Sequence, residues 1–246
     1  MTSHRREFLQ RLALGAASVA AVPASLHAAS AYTAPRLEDL DLDGSSSPYD
    51  EFGHAAMHEA ADEWDTSWTT RLTGRHKAMF DVPEVSGGAG VLRAGLWAKQ
   101  YTDVFKVPAS ELSAVIVLRH AGIILAMKQS FWDEYAVGKR AKLKDDNGKK
   151  TNRNPGLSIP PAPGKQPSSF SAFMLEEQIA RGVIVLGCNM AFAGCVYAVS
   201  KQDKLPQAEA RTKALSYVIP GIIMQPSGIF ADVLAQQNGC AFVAAS

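Results

Sequence analysis

Cysteine is scarce, at three residues in 246. That is too few for a disulfide scaffold, and no two of them form a Cys-x-x-Cys pair, which argues against a thioredoxin-like dithiol centre. Neither sign of charge is in excess, with 25 Lys+Arg against 24 Asp+Glu. The chain therefore lacks the basic balance by which a protein grips nucleic acid through its phosphates. No apolar run reaches the roughly 20 residues that cross a bilayer as a helix. Nucleotide-binding glycine patterns are also missing. Ser86-Gly87-Gly88-Ala89-Gly90 begins like a dinucleotide turn, but Arg93 takes the third glycine position. Around Gly148-Lys149-Lys150-Thr151, Leu143 stands where a phosphate loop needs its first glycine, and Lys150 stands where Ser or Thr should follow the lysine. His54 and His58, four residues apart, have no nearby third ligand beyond Glu59 or Asp62 and read as a solvated pair. Neither a metal nor a cofactor is expected.

What is present suits a folded domain. The chain is 47% hydrophobic and 20% charged, and long enough to bury a sizeable core. Residues 1–31 have the layout of a signal peptide: Arg5 and Arg6, an apolar run from Leu12 to Val22, then Pro23 and small residues with an Ala29-Ser30-Ala31 exit. The paired arginines before Glu7-Phe8-Leu9 resemble a twin-arginine export signal, with His4 where Ser or Thr is usual and Gln10 where Lys is usual. The resemblance implies a periplasmic location and export of folded cargo. An uncleaved membrane anchor is the alternative. Loss of Arg5, Arg6, Arg11 and Glu7 with the signal would take the formal charge from +1 to −1. No stable membrane insertion is expected afterwards.

Residues 32–74 read as an arm, acidic and Ser/Pro-rich to residue 53 and partly helical beyond it. Trp64 and Trp68, at i and i+4, share one helical face and are expected to dock the arm onto the body or a neighbouring subunit. From Arg75 strands and helices alternate. The expected strands are 78–82, 113–118 (SAVIVL) and 182–187 (GVIVLG), with an apolar run at 215–224 and a last short strand at 241–244. The expected helices are 91–104, 170–181, 190–201 and 228–237, with a helical or mixed segment at 123–135. Asn238-Gly239 stops the 228–237 helix. A polar Lys/Pro-rich insertion spans about 138–169. Loops of that length are usually functional or disordered. The alternation predicts an α/β fold: a mostly parallel sheet with helices on both faces, in a flavodoxin-like three-layer sandwich.

Two stretches, IARGVIVLGCNMAFAG and YVIPGIIMQPSGIFADVLAQQNGCAFV, together with the earlier IVLRHAG, resemble the DsrE/DsrF-like family of small α/β proteins from about Arg75 to the end. That resemblance implies sulfur trafficking through a persulfide-carrying cysteine, here Cys188, exchange with a sulfur donor or acceptor protein, and a homotrimer or homohexamer. The small-residue helix 190–201 is one candidate subunit contact. The arm and the insertion depart from the family core.

In an open parallel sheet, ligands sit beyond the carboxyl ends of the strands. Three strand ends thus converge on one rim. One carries Arg119, His120 and Gly122, one Cys188 and Asn189, and one Gln225, Pro226, Ser227 and Gly228. Cys188 stands between a strand and a helix N-terminus, where partial positive charge favours thiolate. Arg119 or a protonated His120 adds to that effect. Cys188, His120 and Arg119 are the candidate catalytic residues, and Asn189, Gln225, Ser227 and Gly228 the candidate ligand-binding residues. Each has a plainer reading. Cys188 can be an inert buried thiol, His120 a satisfied strand-end histidine, and Ser227 an ordinary N-cap. Cys195, two helical turns or about 10 Å from Cys188, is too far for a disulfide unless the helix starts late, and Cys240 is expected to pack inside. The competing class is a non-catalytic small-ligand-binding or oligomeric assembly module of the same fold.

Overall fold

The structure, a computed structural model, describes residues 64–145, 148–158, 166 and 169–246. The expected signal segment, the arm up to residue 63 with its histidine pair, and Pro160, Pro161 and Pro163 lie outside the described residues.

Five strands form one sheet: β1 (His76–Val82), β2 (Leu112–Leu118), β3 (Ile184–Cys188), β4 (Ile222–Gln225) and β5 (Ala241–Ala244). Their order is β4-β3-β2-β1-β5, and every neighbouring pair is parallel. The helices are α1 (Ala89–Phe105), α2 (Gln129–Glu134), α3 (Val137–Arg140), α4 (Leu175–Ala180), α5 (Asn189–Asp203), α6 (Gln207–Ser216) and α7 (Gly228–Gln237). The α/β class with three layers, expected from the alternation, is the fold observed.

The period-two rule for strands splits the apolar runs between two cores. Ala78, Phe80, Val82, Ala114, Ile116, Leu118 and Val185 face α1, α4 and α5. Met79, Val115, Val117, Ile184 and Leu186 face the other way, onto Ala231 and Ala235 of α7 and onto Trp68. Unbroken apolar strands are what a sheet covered on both sides requires. From β1 to β4 the chain steps in one direction across the sheet, with its crossover helices on the first face. It then returns past the far side of β1 to make β5. Right-handed crossovers force that reversal onto the opposite face, which is why α7, alone of the described helices, lies there, across β1, β2 and β3. The connections leaving β3 and β4 therefore diverge to opposite faces, and a crevice opens beyond their carboxyl ends.

Several local expectations differ from what is observed. Trp64 and Trp68 do not share an α-helix. Trp64 precedes a 3-10 turn, Ser67–Arg71, whose Trp68 is fully buried on the α7 face. The described end of the arm, residues 64–74, docks there, with Trp68 and Leu72 buried in the same core as Ala231 and Ala235 of α7. The 123–135 segment is a 3-10 turn, His120–Ala126, followed by α2. The helix expected from 170 starts only at Leu175, after a 3-10 turn at Ser171–Phe173. A helix at 207–216 was not expected. Only Ala210 and Ala214 are buried along it, and two alanines make a faint apolar stripe. The described part of the insertion is not loose. Asn154 is fully buried and its Nδ2 donates to the carbonyls of Leu125 at 2.9 Å and Met127 at 2.7 Å. Asn152 Oδ1 accepts from the Gly138 amide at 2.7 Å. The Asn154 amide satisfies carbonyls of the irregular β2–α2 connection, and the Asn152 carbonyl satisfies an amide in the first turn of α3. No helix among the described residues is long and apolar enough to cross a membrane.

Candidate functional site

The crevice between the ends of β3 and β4 widens into a cavity of about 520 Å³. Two other cavities are smaller, at about 300 and 350 Å³, and neither touches a cysteine. The large cavity is lined by Arg119, His120, Cys188, Ser227 and Gly228, five of the seven candidate catalytic and ligand-binding residues. Asn189 and Gln225 do not line it. Asn189 is buried and its Oδ1 accepts from Arg211 Nη2 at 2.8 Å. Gln225 is fully buried, and its Nε2 donates to the carbonyl of Asp65 at 2.8 Å and to that of Met224 at 3.0 Å. These two amides fasten α5 to α6 and the arm to β4.

Cys188 ends β3 and serves as the N-cap of α5. Its Sγ accepts the Ala191 amide at 3.4 Å. A sulfur there meets the positive end of a 15-residue helix dipole. Only 6% of Cys188 is exposed, and the residue is part of the cavity lining. All three cysteines are unpaired. Cys195 also lines the cavity, but burial pushes its thiol up to about 12, so it holds almost no thiolate at neutral pH. Burial likewise raises the Cys240 thiol, against the opposing charge of Lys77. Cys240 packs inside, as expected.

His120 follows β2 with φ +45°, in the left-handed region that a histidine enters only at a cost of about 1–2 kcal/mol. The turn is pinned from below. The Gly122 amide donates to the Pro83 carbonyl at 2.9 Å, and a Cβ on Gly122 would lie 2.1 Å from the Val82 carbonyl oxygen. The chain therefore lies against the end of β1 and lifts His120, which is exposed, onto the rim.

Arg119 is held by groups the sequence did not point to. Its Nε and Nη2 donate to Asp81 Oδ1 and Oδ2 at 2.6 and 2.7 Å. Asp232 of α7 brings Oδ2 to 3.7 Å from Nε. Hydrogen bonding to Asp81 raises Arg119 above its ordinary value, with Asp232 and Cys188 adding to the effect. Asp232 is pushed up to about 6, first by burial and then by the Asp81 charge, while Arg119 opposes the rise. Its Oδ1 is buried with no hydrogen-bond partner among the described residues. Two carboxylates thus offset much of the guanidinium charge that Cys188 would otherwise feel. Asp81 was legible in principle, since a carboxylate inside the apolar strand AMFDV has to find a cation. Asp232 gave no such signal, because on a helix it reads as an exposed residue.

The start of α7 completes the rim. Ser227 Oγ accepts the Phe230 amide at 3.0 Å, so Ser227 is the N-cap. Gly228 lets α7 approach closely, since a Cβ there would lie 2.6 Å from Cβ and Cδ of Arg119. No group of three or more His, Cys, Asp or Glu among the described residues is arranged to hold a metal ion. Comparison with family models, curated proteins and solved structures returns no match.

Proposed function

We propose that this chain is an exported DsrE/F-like protein that accepts and passes on sulfur as a persulfide of Cys188. The observation that supports this reading best is the placement of Cys188. Its sulfur caps the N-terminus of α5 on the wall of a cavity that also receives Arg119 and His120. In the step envisaged, the Cys188 thiolate attacks the outer sulfur of a donor persulfide, R–S–SH. Its electron pair forms the new S–S bond, the old S–S pair leaves with R–S⁻, and Cys188–S–SH results with no external oxidant. Arg119 and the α5 N-terminus stabilise the sulfur anion, and exposed His120 exchanges protons with incoming or leaving thiols. A donor or acceptor protein meets the rim. The twin-arginine-like label directs the protein to the periplasm, and the working form is a homotrimer or homohexamer. The outward apolar groups of α7, Phe230 and Val233, respectively 40% and 47% exposed, are a better candidate contact than α5, much of which is covered by α6.

A second reading has its own support. Cys188 is nearly buried, and the charge of Arg119 is offset by Asp81 and Asp232. Both facts suit a non-catalytic module that binds a small ligand at the same rim. Intact-mass spectrometry after exposure to a low-molecular-weight persulfide separates the two. The sulfur-carrying reading expects a gain of one sulfur atom that reduction removes and that Cys188→Ser abolishes. An unchanged mass, with a ligand still bound, supports the second reading.

A further inference from the structure

We infer that the cavity beside Cys188 takes a small organic molecule with an apolar body, its polar head held at Arg119 and the start of α7, rather than a bare inorganic sulfur species. This names the substrate class for the sulfur-carrying reading and rests on it only for the chemistry at Cys188.

Size decides first. At about 520 Å³ the cavity falls in the range of sites for organic ligands. A water molecule's share of liquid is about 30 Å³, so sulfide or a small sulfur oxyanion would leave most of the space to solvent. The walls decide next. One end carries Arg119, the adjacent His120 and the Ser227–Gly228 turn. The rest is apolar, made by Ile123, Ile124, Met190 and Cys195 around an open patch at Gly194. Gly194 lies within α5, and a Cβ built on it meets nothing within 4 Å. A glycine inside a helix costs up to about 1 kcal/mol relative to alanine, yet no side chain of the described protein occupies the space in front of it. From Cys188 to Cys195 the wall runs two helical turns, about 10 Å, which sets the length of the body.

The polar end has donors to spare. Asp81 takes Nε and Nη2 of Arg119, and Nη1 makes no hydrogen bond among the described residues. In α7 the Phe230 amide is taken by Ser227, while Gly228 and Ile229 supply the first two amides of the helix. A sulfonate, carboxylate or carbonyl head fits such donors.

Alkyl methanethiosulfonates test the assignment. The Cys188 thiolate attacks the sulfenyl sulfur, the S–SO₂ bond breaks, methanesulfinate leaves with its electron pair, and Cys188–S–S–R forms. Methyl and hexyl reagents are compared on the full protein, each rate normalised to a small thiol in solution. The hexyl reagent should modify Cys188 at least about tenfold faster, because its methylenes leave water on binding. Gly194→Leu fills the open patch and should bring the ratio to about one. Octanesulfonate, which cannot react, should bind Cys188→Ser saturably by calorimetry. A ratio near one in the wild-type protein, a ratio untouched by Gly194→Leu, or no octanesulfonate binding each overturns the inference. Octanesulfonate binding to Cys188→Ser without any modification of Cys188 by the methyl reagent overturns the sulfur-carrying reading instead and leaves this one standing.

Discussion

Asp232 joins Asp81 in offsetting the Arg119 charge beside the cavity. Burial and Asp81 raise it to about 6, above the ordinary value of 3.8. The folded protein therefore binds this proton more tightly than the unfolded chain does. The stability it contributes is fully present below about pH 4 and is lost as pH rises through about 6. Asp232→Asn removes that loss, so urea denaturation should show a flatter profile between pH 4 and 7 and a gain of about 1–2 kcal/mol at pH 7. Parallel profiles for wild type and variant would contradict this account. Asp81 acts from the other side. Asp81→Asn breaks a bidentate pair whose carboxylate is nearly buried, and should cost roughly 2–4 kcal/mol in the same assay. It should also move the Asp232 carboxyl titration, followed by carbon NMR, to lower pH, because a repelling charge is gone and Arg119 is free to turn toward Asp232. At this scale Cys188, Arg119 and His120 were legible, since each follows an apolar strand whose end marks a rim. Asn189 and Gln225 shared that signal yet turn to α6 and the arm, because a buried amide goes wherever backbone or side-chain partners are. Sequence position does not show that choice.

The elements that place the site are turns rather than long helices. Gly122 lies so close to the Val82 carbonyl that an added methyl cannot be accommodated without moving backbone. Gly122→Ala should therefore destabilise the fold by about 2–3 kcal/mol, measured by thermal or urea unfolding. It should also displace His120 from the rim, seen as a changed histidine resonance. Wild-type stability in that variant would mean that the β2 turn is not anchored on β1. Boundaries carried by capping chemistry were readable, as in α7, where Ser227 opens the helix and Asn238-Gly239 closes it. Elements held by tertiary contacts were not. α6 has only a weak alanine stripe, and the described part of the insertion is held by Asn152 and Asn154, whose targets are carbonyls of α2 and of the β2–α2 connection, distant in sequence.

At the scale of the molecule, the single reversal in strand order produces the crevice and sets α7, alone of the described helices, on the second face. The parallel class was legible from apolar runs and alternation. The order β4-β3-β2-β1-β5 was not, because non-local pairing leaves no periodic trace in one sequence. The second face is covered by α7 and Trp68, and α7 shows apolar groups outward, which fits the proposed homo-oligomer. Exchanging Phe230 and Val233 for Glu and Lys should bring the mass by light scattering down to that of a monomer with little change in unfolding temperature. An unchanged mass would place any subunit contact elsewhere.

The reactivity of the three thiols in the folded protein bears most directly on the account. Iodoacetamide labelling at pH 8, mapped by peptide, should modify Cys188 first, because the residue lines the cavity and its sulfur caps a helix N-terminus. Cys195 and Cys240, raised by burial, should react only on unfolding. If Cys188 resists labelling as long as Cys195 does, its sulfur is closed to reagents and the sulfur-carrying reading fails.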